Sequence, residues 1–317
     1  MKDDTTFYIN KEHIMTLRIQ IIFSIIFISI FSTPAFSLGK LSHQLVCQLS
    51  YDLLPSAKQQ KIDELLSQLS IKDQKRINKY NRNKENQKIT FAESCTWADA
   101  IKKDKSFNHF KPWHYLNIER NTLSVTKETC SENCVTAAIP FHKNQLISAE
   151  NAQEKAEALM FLGHWLGDIH QPLHVSFSSD YGGNRNKIKP LVGRCENLHW
   201  YWDECLLYSI PKKEDKAGDF DYLAFKTAVF QQLSHILASS PKTQWADSDM
   251  TDWANESLTL IREKEFNYCQ LSADNCLSKQ NDKVVITEAY HQHYQAILHK
   301  RMLQAAVRLS SLLSQAL

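Results

Sequence analysis

Apolar residues recur at helical spacing along most of the chain. The pattern is strongest between residues 161 and 174, which read FLGHWLGDIHQPLH. His164 and Asp168 are four positions apart there, so on a helix they share one face. Their bulky apolar neighbours indicate a buried helix, and a buried carboxylate needs a partner. Pro172 ends the helix, so that His174 can point back toward the pair. Imidazole and carboxylate groups in this pattern predict a transition-metal site, and the alternative is an internal His–Asp hydrogen bond.

A second stretch repeats this arrangement. Residues 197 to 203 read NLHWYWD, and His199 and Asp203 are again four positions apart among bulky apolar side chains. A single pair of this kind is weak support for a site, because such pairs are common on helix surfaces. Two pairs in apolar surroundings favour a functional site.

The remaining pattern predicts a mostly α-helical protein. Glycine is scarce, with 7 in 317 residues, helix-favouring residues are common, and alternating strand patterns are few. Helices are expected over residues 39–54 and 287–317, and a polar helical region over 56–89. On the last of these helices, His291, His293 and His299 are interpreted as surface residues. Neither a linker-like stretch nor an internal repeat interrupts the sequence, which favours one domain.

The first 37 residues are typical of an export signal. An apolar run from Ile21 to Phe31 follows Arg18 and is too short to favour a spanning helix. Small residues at positions 35 and 37 fit cleavage before Leu38, and translation could also begin at Met15. An uncleaved anchor is the alternative. Removing this segment takes away three basic and three acidic residues, so the net charge stays at +2, which argues neither for nor against a nucleic-acid partner.

All eight cysteines follow the export signal, which is typical of a disulfide framework. Eight cysteines allow 105 pairings, and sequence alone does not choose among them. Their spacings suggest three local loops, 130–134, 195–205 and 269–276, which leaves Cys47 with Cys95. Cysteine as a zinc ligand is disfavoured because the chain has no CxxC pair, so histidine and aspartate are the expected ligands.

Other candidate residues lie between these motifs. Asp99 and Lys102 are three apart in WADAIK and share a helical face, and His114 lies in PWHYLN, which is read as an aromatic-rich extended segment. His43 begins the first helix. The loop DYGGN, residues 180–184, has two glycines that allow the backbone close to a ligand. Each of these features has an alternative interpretation as ordinary packing or surface.

Taken in order, the motifs GKLSH, WADAIK, WHYLN, GHWLGDIHQPLH, DYGGN and NLHWYWD resemble the single-strand-specific zinc nucleases of the nuclease S-one and nuclease P-one type. The resemblance runs from Leu38 almost to the C-terminus. It implies a single-domain, all-α fold shared with zinc-dependent phospholipase C and a cleft with three zinc ions. It also implies hydrolysis of the P–O3′ bond of RNA and single-stranded DNA, leaving 5′-phosphates, and removal of 3′-phosphate from nucleotides.

The resemblance assigns each motif residue a role. One zinc would be held by Asp99, His114, His164 and Asp168, a second by main-chain atoms of Leu38 with His43 and Asp168, and the third by His174, His199 and Asp203. Asp99 and Lys102 would be catalytic, Tyr115 would stack on a base, and Asn117 and Asn184 would contact substrate.

Four positions depart from the family pattern. The family usually has tryptophan where this chain has Leu38, and glycine where it has Ser42. Lys102 replaces an arginine and lacks its bidentate fork. Asn117 replaces an aspartate, which leaves the base preference open.

Two other functions compete with this prediction. The first is a phospholipase C-like hydrolase, and the second is an exported binding protein stabilised by zinc.

For the predicted nuclease, the expected substrates are single-stranded nucleic acid and 3′-nucleotides. The expected location is secreted or periplasmic, with no stable membrane association and a monomeric state favoured.

Overall fold

Helices dominate this computed structural model, which describes residues 39–130, 132–210, 221–278 and 283–317. The predicted export signal and Leu38 lie outside the described residues. The mostly helical fold predicted from the sequence is confirmed. The α-helices are α1 (Lys40–Asp52), α2 (Ser56–Ser67), α3 (Ile71–Asn81), α4 (Phe91–Ser94), α5 (Trp97–Ala100), α6 (Val135–Ser148), α7 (Ala152–His170), α8 (Leu198–Asp203), α9 (Tyr222–Ala238), α10 (Lys242–Ala246), α11 (Met250–Arg262) and α12 (Glu288–Ala316).

Short strands join parts of the chain that are distant in sequence. β1 pairs with β2 in parallel, with Leu116 opposite Val175. β3 pairs with β6 in parallel, and β4 with β5 in antiparallel orientation. The first pair matters most for the site, because it fixes the segment after His114 beside the segment after His174. The strands are β1 (Leu116–Ile118), β2 (Val175–Phe177), β3 (Ile188–Lys189), β4 (Cys269–Ser272), β5 (Asn275–Ser278) and β6 (Val284–Val285).

Helix α7 is the central element of the core. Its N-cap residue is Asn151, whose side chain accepts a hydrogen bond from the backbone N–H of Gln153 at 2.8 Å and so caps the first turn. From Ala158 to its end at His170, every residue is buried, because α1, α5, α6, α11 and α12 all pack against it. A helix buried on all sides shows no polar face. Its polar residues His164 and Asp168 are therefore fully buried.

Four disulfides connect the described cysteines, as the spacings suggested. Cys47–Cys95 joins α1 to the segment before α5 and lies directly against α7. A Cβ atom on Gly163 would lie 2.2 Å from the Cys95 sulfur, so only glycine fits there. The pairs are Cys47–Cys95, Cys130–Cys134, Cys195–Cys205 and Cys269–Cys276.

Two predictions from the sequence were wrong in part. His114 ends a 3₁₀ helix, Lys105–His114, rather than lying in an extended segment, which begins only afterwards with β1. On α12, His293 is exposed as expected, but His291 and His299 are buried. The reason is that α12 packs against several helices, and His291 and His299 lie on its packed side while His293 lies on its exposed side. No described helix has the length and apolar content needed to cross a membrane.

Candidate metal centre

The predicted ligands within the described residues lie together in three adjoining groups. In each group, one ligand atom per residue can be chosen so that all lie within 4.8 Å of one another. His164 belongs to two groups, which makes the arrangement continuous. Leu38 is outside the described residues, but the backbone N–H of Gly39 donates to the carbonyl oxygen of Asp203 at 2.8 Å. The groups are His43, His164 and Asp168; Asp99, His114 and His164; and His174, His199 and Asp203.

Asp168 lies at the junction of these groups, and its two carboxylate oxygens face different histidines. Oδ2 is 2.9 Å from Nδ1 of His114 and 3.2 Å from Nε2 of His164. Oδ1 is 3.4 Å from Nε2 of His43 and 3.5 Å from Nδ1 of His174. One fully buried carboxylate thus contacts imidazoles from four different parts of the chain.

Backbone carbonyl groups fix the orientation of three imidazoles. A carbonyl oxygen only accepts hydrogen bonds, so Nδ1 of each ring carries the proton and Nε2 faces the cluster. This arrangement is the usual support of metal-ligating histidines. The pairs are His164 with Cys95, His174 with His114, and His199 with Gly182, each at 2.7 Å from Nδ1 to the carbonyl oxygen.

The electrostatic environment keeps most of the donor groups in the protonation state that binds a cation. Burial lowers the pKa of His43 to about 4 and that of His114 to about 3. Burial opposes ionisation of Asp168, but the surrounding imidazoles outweigh it and hold the pKa of the carboxyl well below its usual range. Burial also opposes charge on His174, yet the carboxylates of Asp168 and Asp203 raise its pKa to about 8. A bound cation would displace the proton on His174, so the affinity of the cluster for the cation should fall at acid pH.

Unsatisfied polar atoms support a metal in this cluster. Among the described residues, three of its buried atoms form no hydrogen bond: Oδ1 of Asp168, Nε2 of His174 and Oδ2 of Asp203. Each of these atoms has only longer contacts, of 3.4 Å or more, to a neighbouring imidazole or carboxylate, and all three are of the types that zinc binds. The residues present therefore fit a zinc centre.

Comparison with known proteins agrees with this geometry. The family model described as S1/P1 Nuclease matches residues 38–317.

The chain belongs to the S1/P1 nuclease family.

Curated relatives carry nuclease names and are distant in sequence. Endonuclease 2 of Arabidopsis thaliana is 26% identical over 293 residues, covering 87% of this chain and 89% of that protein. Nuclease S1 of Aspergillus oryzae is 28% identical over 229 residues, covering 69% and 77%. Nuclease P1 of Penicillium citrinum is 29% identical over 118 residues, covering 35% and 43%. The S1/P1 nucleases are zinc-dependent enzymes that hydrolyse single-stranded nucleic acid, which agrees with the donor set found here.

The other predicted residues of this S1/P1 nuclease lie on segments that carry or contact the candidate ligands. Nζ of Lys102 is 2.6 Å from Oδ1 of Asp99. Tyr115 follows His114 directly and leaves 37% of its surface exposed. Asn117 is the exposed central residue of β1. The Asn184 side chain donates to the carbonyl oxygen of Tyr181 at 2.8 Å, so it shapes its loop.

Sequence reasoning missed two residues that position the carboxylates. The Tyr80 hydroxyl donates to Oδ2 of Asp99 at 3.3 Å. Tyr80 lies in a polar stretch of α3 whose sequence did not indicate a role at the site. Gln171 is fully buried, donates to Oδ1 of Asp203 at 2.6 Å and accepts from the N–H of Leu173. Gln171 lies inside the strongest motif, where a buried amide beside two expected ligands was the available clue.

Proposed function

We propose that this S1/P1 nuclease hydrolyses the P–O3′ bond of RNA and single-stranded DNA, leaving 5′-phosphates, and also removes 3′-phosphate from nucleotides. The observation that carries this proposal is the position of Asp168, whose two oxygens face histidines of adjoining groups. A carboxylate in that position suits a centre of several metals, which is the arrangement used for in-line displacement at phosphorus. The names of the curated relatives support the same activity.

Three zinc ions would occupy the cluster. Asp168 would be a ligand of two of them, and His164, a ligand of one, lies close to the residues of both. Free main-chain atoms at position 38 would complete one site if the export signal is removed before that residue. The ligand sets would be Asp99, His114, His164 and Asp168; Leu38, His43 and Asp168; and His174, His199 and Asp203. When bound, zinc in such a site lowers the pKa of water and offsets negative charge on phosphate oxygens.

Asp99 and Lys102 would act directly on the reacting groups. Burial opposes ionisation of Asp99, but the Lys102 ammonium and nearby imidazoles hold the pKa of its carboxyl below the usual range. Asp99 is therefore an acceptor that can orient the attacking water, and the Tyr80 hydrogen bond fixes its rotamer. Lys102, 2.6 Å away, would stabilise charge on the phosphate or the departing 3′ oxygen. Its single point charge does this less specifically than the family's arginine fork.

Tyr115, Asn117 and Asn184 would bind the nucleotide next to the cleaved bond. Tyr115 is half-buried beside His114, so its ring is anchored while one part stays accessible. Base stacking tolerates any base but requires an unpaired one, which accounts for preference for single strands. Asn117 points away from the core beside Tyr115 and would contact a base edge.

The chain as a whole would be exported as one nuclease domain over residues 38–317, after loss of residues 1–37. Four disulfides support an oxidising destination, either secreted or periplasmic. A monomer with no stable membrane association is the proposed working form.

Metal analysis of the processed protein, combined with substrate assays, tests this function. We expect about three zinc ions per chain, cleavage of single-stranded DNA in preference to duplex, and loss of cleavage with a chelator. Phosphatidylcholine hydrolysis without DNA cleavage would instead establish the phospholipase C-like alternative. Full zinc content without turnover on either substrate would establish a zinc-stabilised binding protein.

A further inference from the structure

A buried amide joins the end of helix α7 to the third ligand group, which consists of His174, His199 and Asp203. Gln171 directly follows the last residue of α7 and is fully buried. Its Nε2 donates to Oδ1 of Asp203 at 2.6 Å, and its Oε1 accepts from the backbone N–H of Leu173 at 2.5 Å. Because a carboxylate only accepts and a backbone N–H only donates, these partners fix which end of the amide is nitrogen. The side chain is therefore held in one orientation against the carboxylate.

The backbone of Gln171 contacts two further candidate ligands. Its N–H donates to the carbonyl oxygen of Asp168 at 3.0 Å, and its carbonyl oxygen accepts from the N–H of His174 at 3.0 Å. With the bond to Asp203, the residue contacts ligands from both of the motifs that first indicated a metal site. Its position is thus tied to the third ligand group at two points and to the junction carboxylate at one.

The amide leaves one oxygen of Asp203 for a cation. Oδ1 is held by Gln171, whereas Oδ2 forms no hydrogen bond to any described residue and lies 3.4 Å from Nε2 of His199. Nε2 of His174 also lacks a hydrogen bond within the described ranges and lies 3.8 Å from Oδ1. Each residue of the group thus offers one atom, which gives three protein ligand atoms. Catalytic zinc sites have three protein ligands and keep a further position open for water or substrate.

We propose that Gln171 is a positioning residue that makes Asp203 a one-oxygen ligand, so that the cation of the third group keeps an open position for a phosphate oxygen. The amide holds Oδ1 away from the cation and leaves Oδ2 facing the two imidazoles. Without the amide, the carboxylate is free to turn and present both oxygens. This inference rests on the proposed three-zinc nuclease function and assigns Gln171 a part in it.

Zinc titration of the metal-free protein tests this role. Gln171→Met fills nearly the same space but has neither the donor nor the acceptor that these partners need. Hydrogen-bonded partners of metal ligands typically alter metal affinity roughly 10- to 100-fold, so one zinc site should weaken by that factor and the other two should keep their wild-type affinity. Gln171→Leu replaces the methionine variant if the latter does not fold. Gln304→Met is the matched control, since Gln304 is also buried and lies beside a carboxylate, Glu256, outside the three groups.

Affinity for inorganic phosphate tests the open position. It is measured with zinc in large excess, so that every site is filled in each variant. Gln171→Met should bind phosphate more weakly than the wild type, because the released carboxylate occupies the position that phosphate would take. Gln304→Met should match the wild type. A role limited to packing would instead lower the Tm of the metal-free protein and weaken all three zinc sites alike.

An unchanged affinity for either zinc or phosphate in the folded Gln171 variant would overturn the proposal, as would equal weakening of the three zinc sites. A wild type that binds three zinc ions but cuts no single-stranded DNA would refute only the nuclease function. Neither titration depends on turnover, so the two failures are distinguishable.

Discussion

Replacing Asp168 with asparagine keeps the shape of the side chain but removes the charge that lies among four imidazoles. Because the two oxygens of Asp168 face different groups, we expect Asp168→Asn to empty two zinc sites. His199→Ala alters only the group that contains Asp203 and should empty one. Zinc content should therefore fall from about three ions per chain to about one in the first variant and about two in the second.

The thermal stability of the same variants measures how much each zinc site contributes to the free energy of unfolding. At a free zinc concentration about 100 times the dissociation constant, each occupied site adds roughly 2.7 kcal/mol to the free energy of unfolding. The zinc-dependent part of the stability should thus fall by roughly 5.4 kcal/mol in Asp168→Asn and roughly 2.7 kcal/mol in His199→Ala. For a domain of about 280 residues, with an unfolding entropy of about 2.1 cal/mol/K per residue, these losses correspond to shifts in Tm of roughly 9 °C and roughly 5 °C.

Scanning calorimetry with zinc and with a chelator isolates the metal contribution, because any effect on the metal-free protein cancels in the difference. Asp73→Asn is the matched control, since Asp73 is also a buried carboxylate but accepts from the indole N–H of Trp97 and lies outside the three groups. Equal zinc losses in Asp168→Asn and His199→Ala would refute the junction role of Asp168.

Other changes probe substrate binding, processing and acid stability. Tyr115→Ala should weaken nucleotide binding by roughly 1–3 kcal/mol in calorimetric titration, with zinc content unchanged. Loss of zinc in this variant would show instead that Tyr115 serves to pack the fold around the cluster. One extra residue before Leu38 should lower zinc content and nuclease rate, whereas Leu38→Trp should retain both; full zinc in the extended form would show that Leu38 is not a ligand. Burial opposes ionisation of Glu256, but hydrogen bonds from Arg308 and the charges of Arg301 and Arg308 lower its pKa. This stabilisation is complete above the ordinary glutamate pKa and is lost as pH falls through the lowered value. Denaturant titration from neutral to acid pH should therefore show a smaller loss of stability in Glu256→Gln than in the wild type, and parallel curves would contradict the assignment.

Two of the His–Asp pairs in the three groups could be picked out from the sequence because their signals are local. A separation of four residues places His164 with Asp168 and His199 with Asp203 on helical faces whatever surrounds them. The roles of Tyr80 and Gln171 depend on tertiary contacts, which helix periodicity does not report. Gln171, for example, reaches Asp203 across 32 positions of sequence.

The errors on α12 have a similar origin. Histidine is usually half-exposed, and nothing near His291 in the sequence marks it as buried. In the fold, its Nδ1 accepts from the hydroxyl of Tyr201 at 2.7 Å and its Nε2 donates to the carbonyl oxygen of Tyr208 at 2.9 Å. Such partners make burial of a polar ring acceptable, and they come from a segment more than 80 residues away.

The Cys47–Cys95 disulfide has a consequence for the cell that makes this enzyme. It ties the helix bearing His43 to the segment leading to Asp99, against the glycine that precedes His164. Cytosolic thiols stay reduced, so a newly made chain would lack this tie while it shares a compartment with the cell's own messenger RNA. If the chain is exported as proposed, this disulfide would form only after the enzyme is separated from the cell's own RNA, and the segments that bear His43 and Asp99 would be tied together only then.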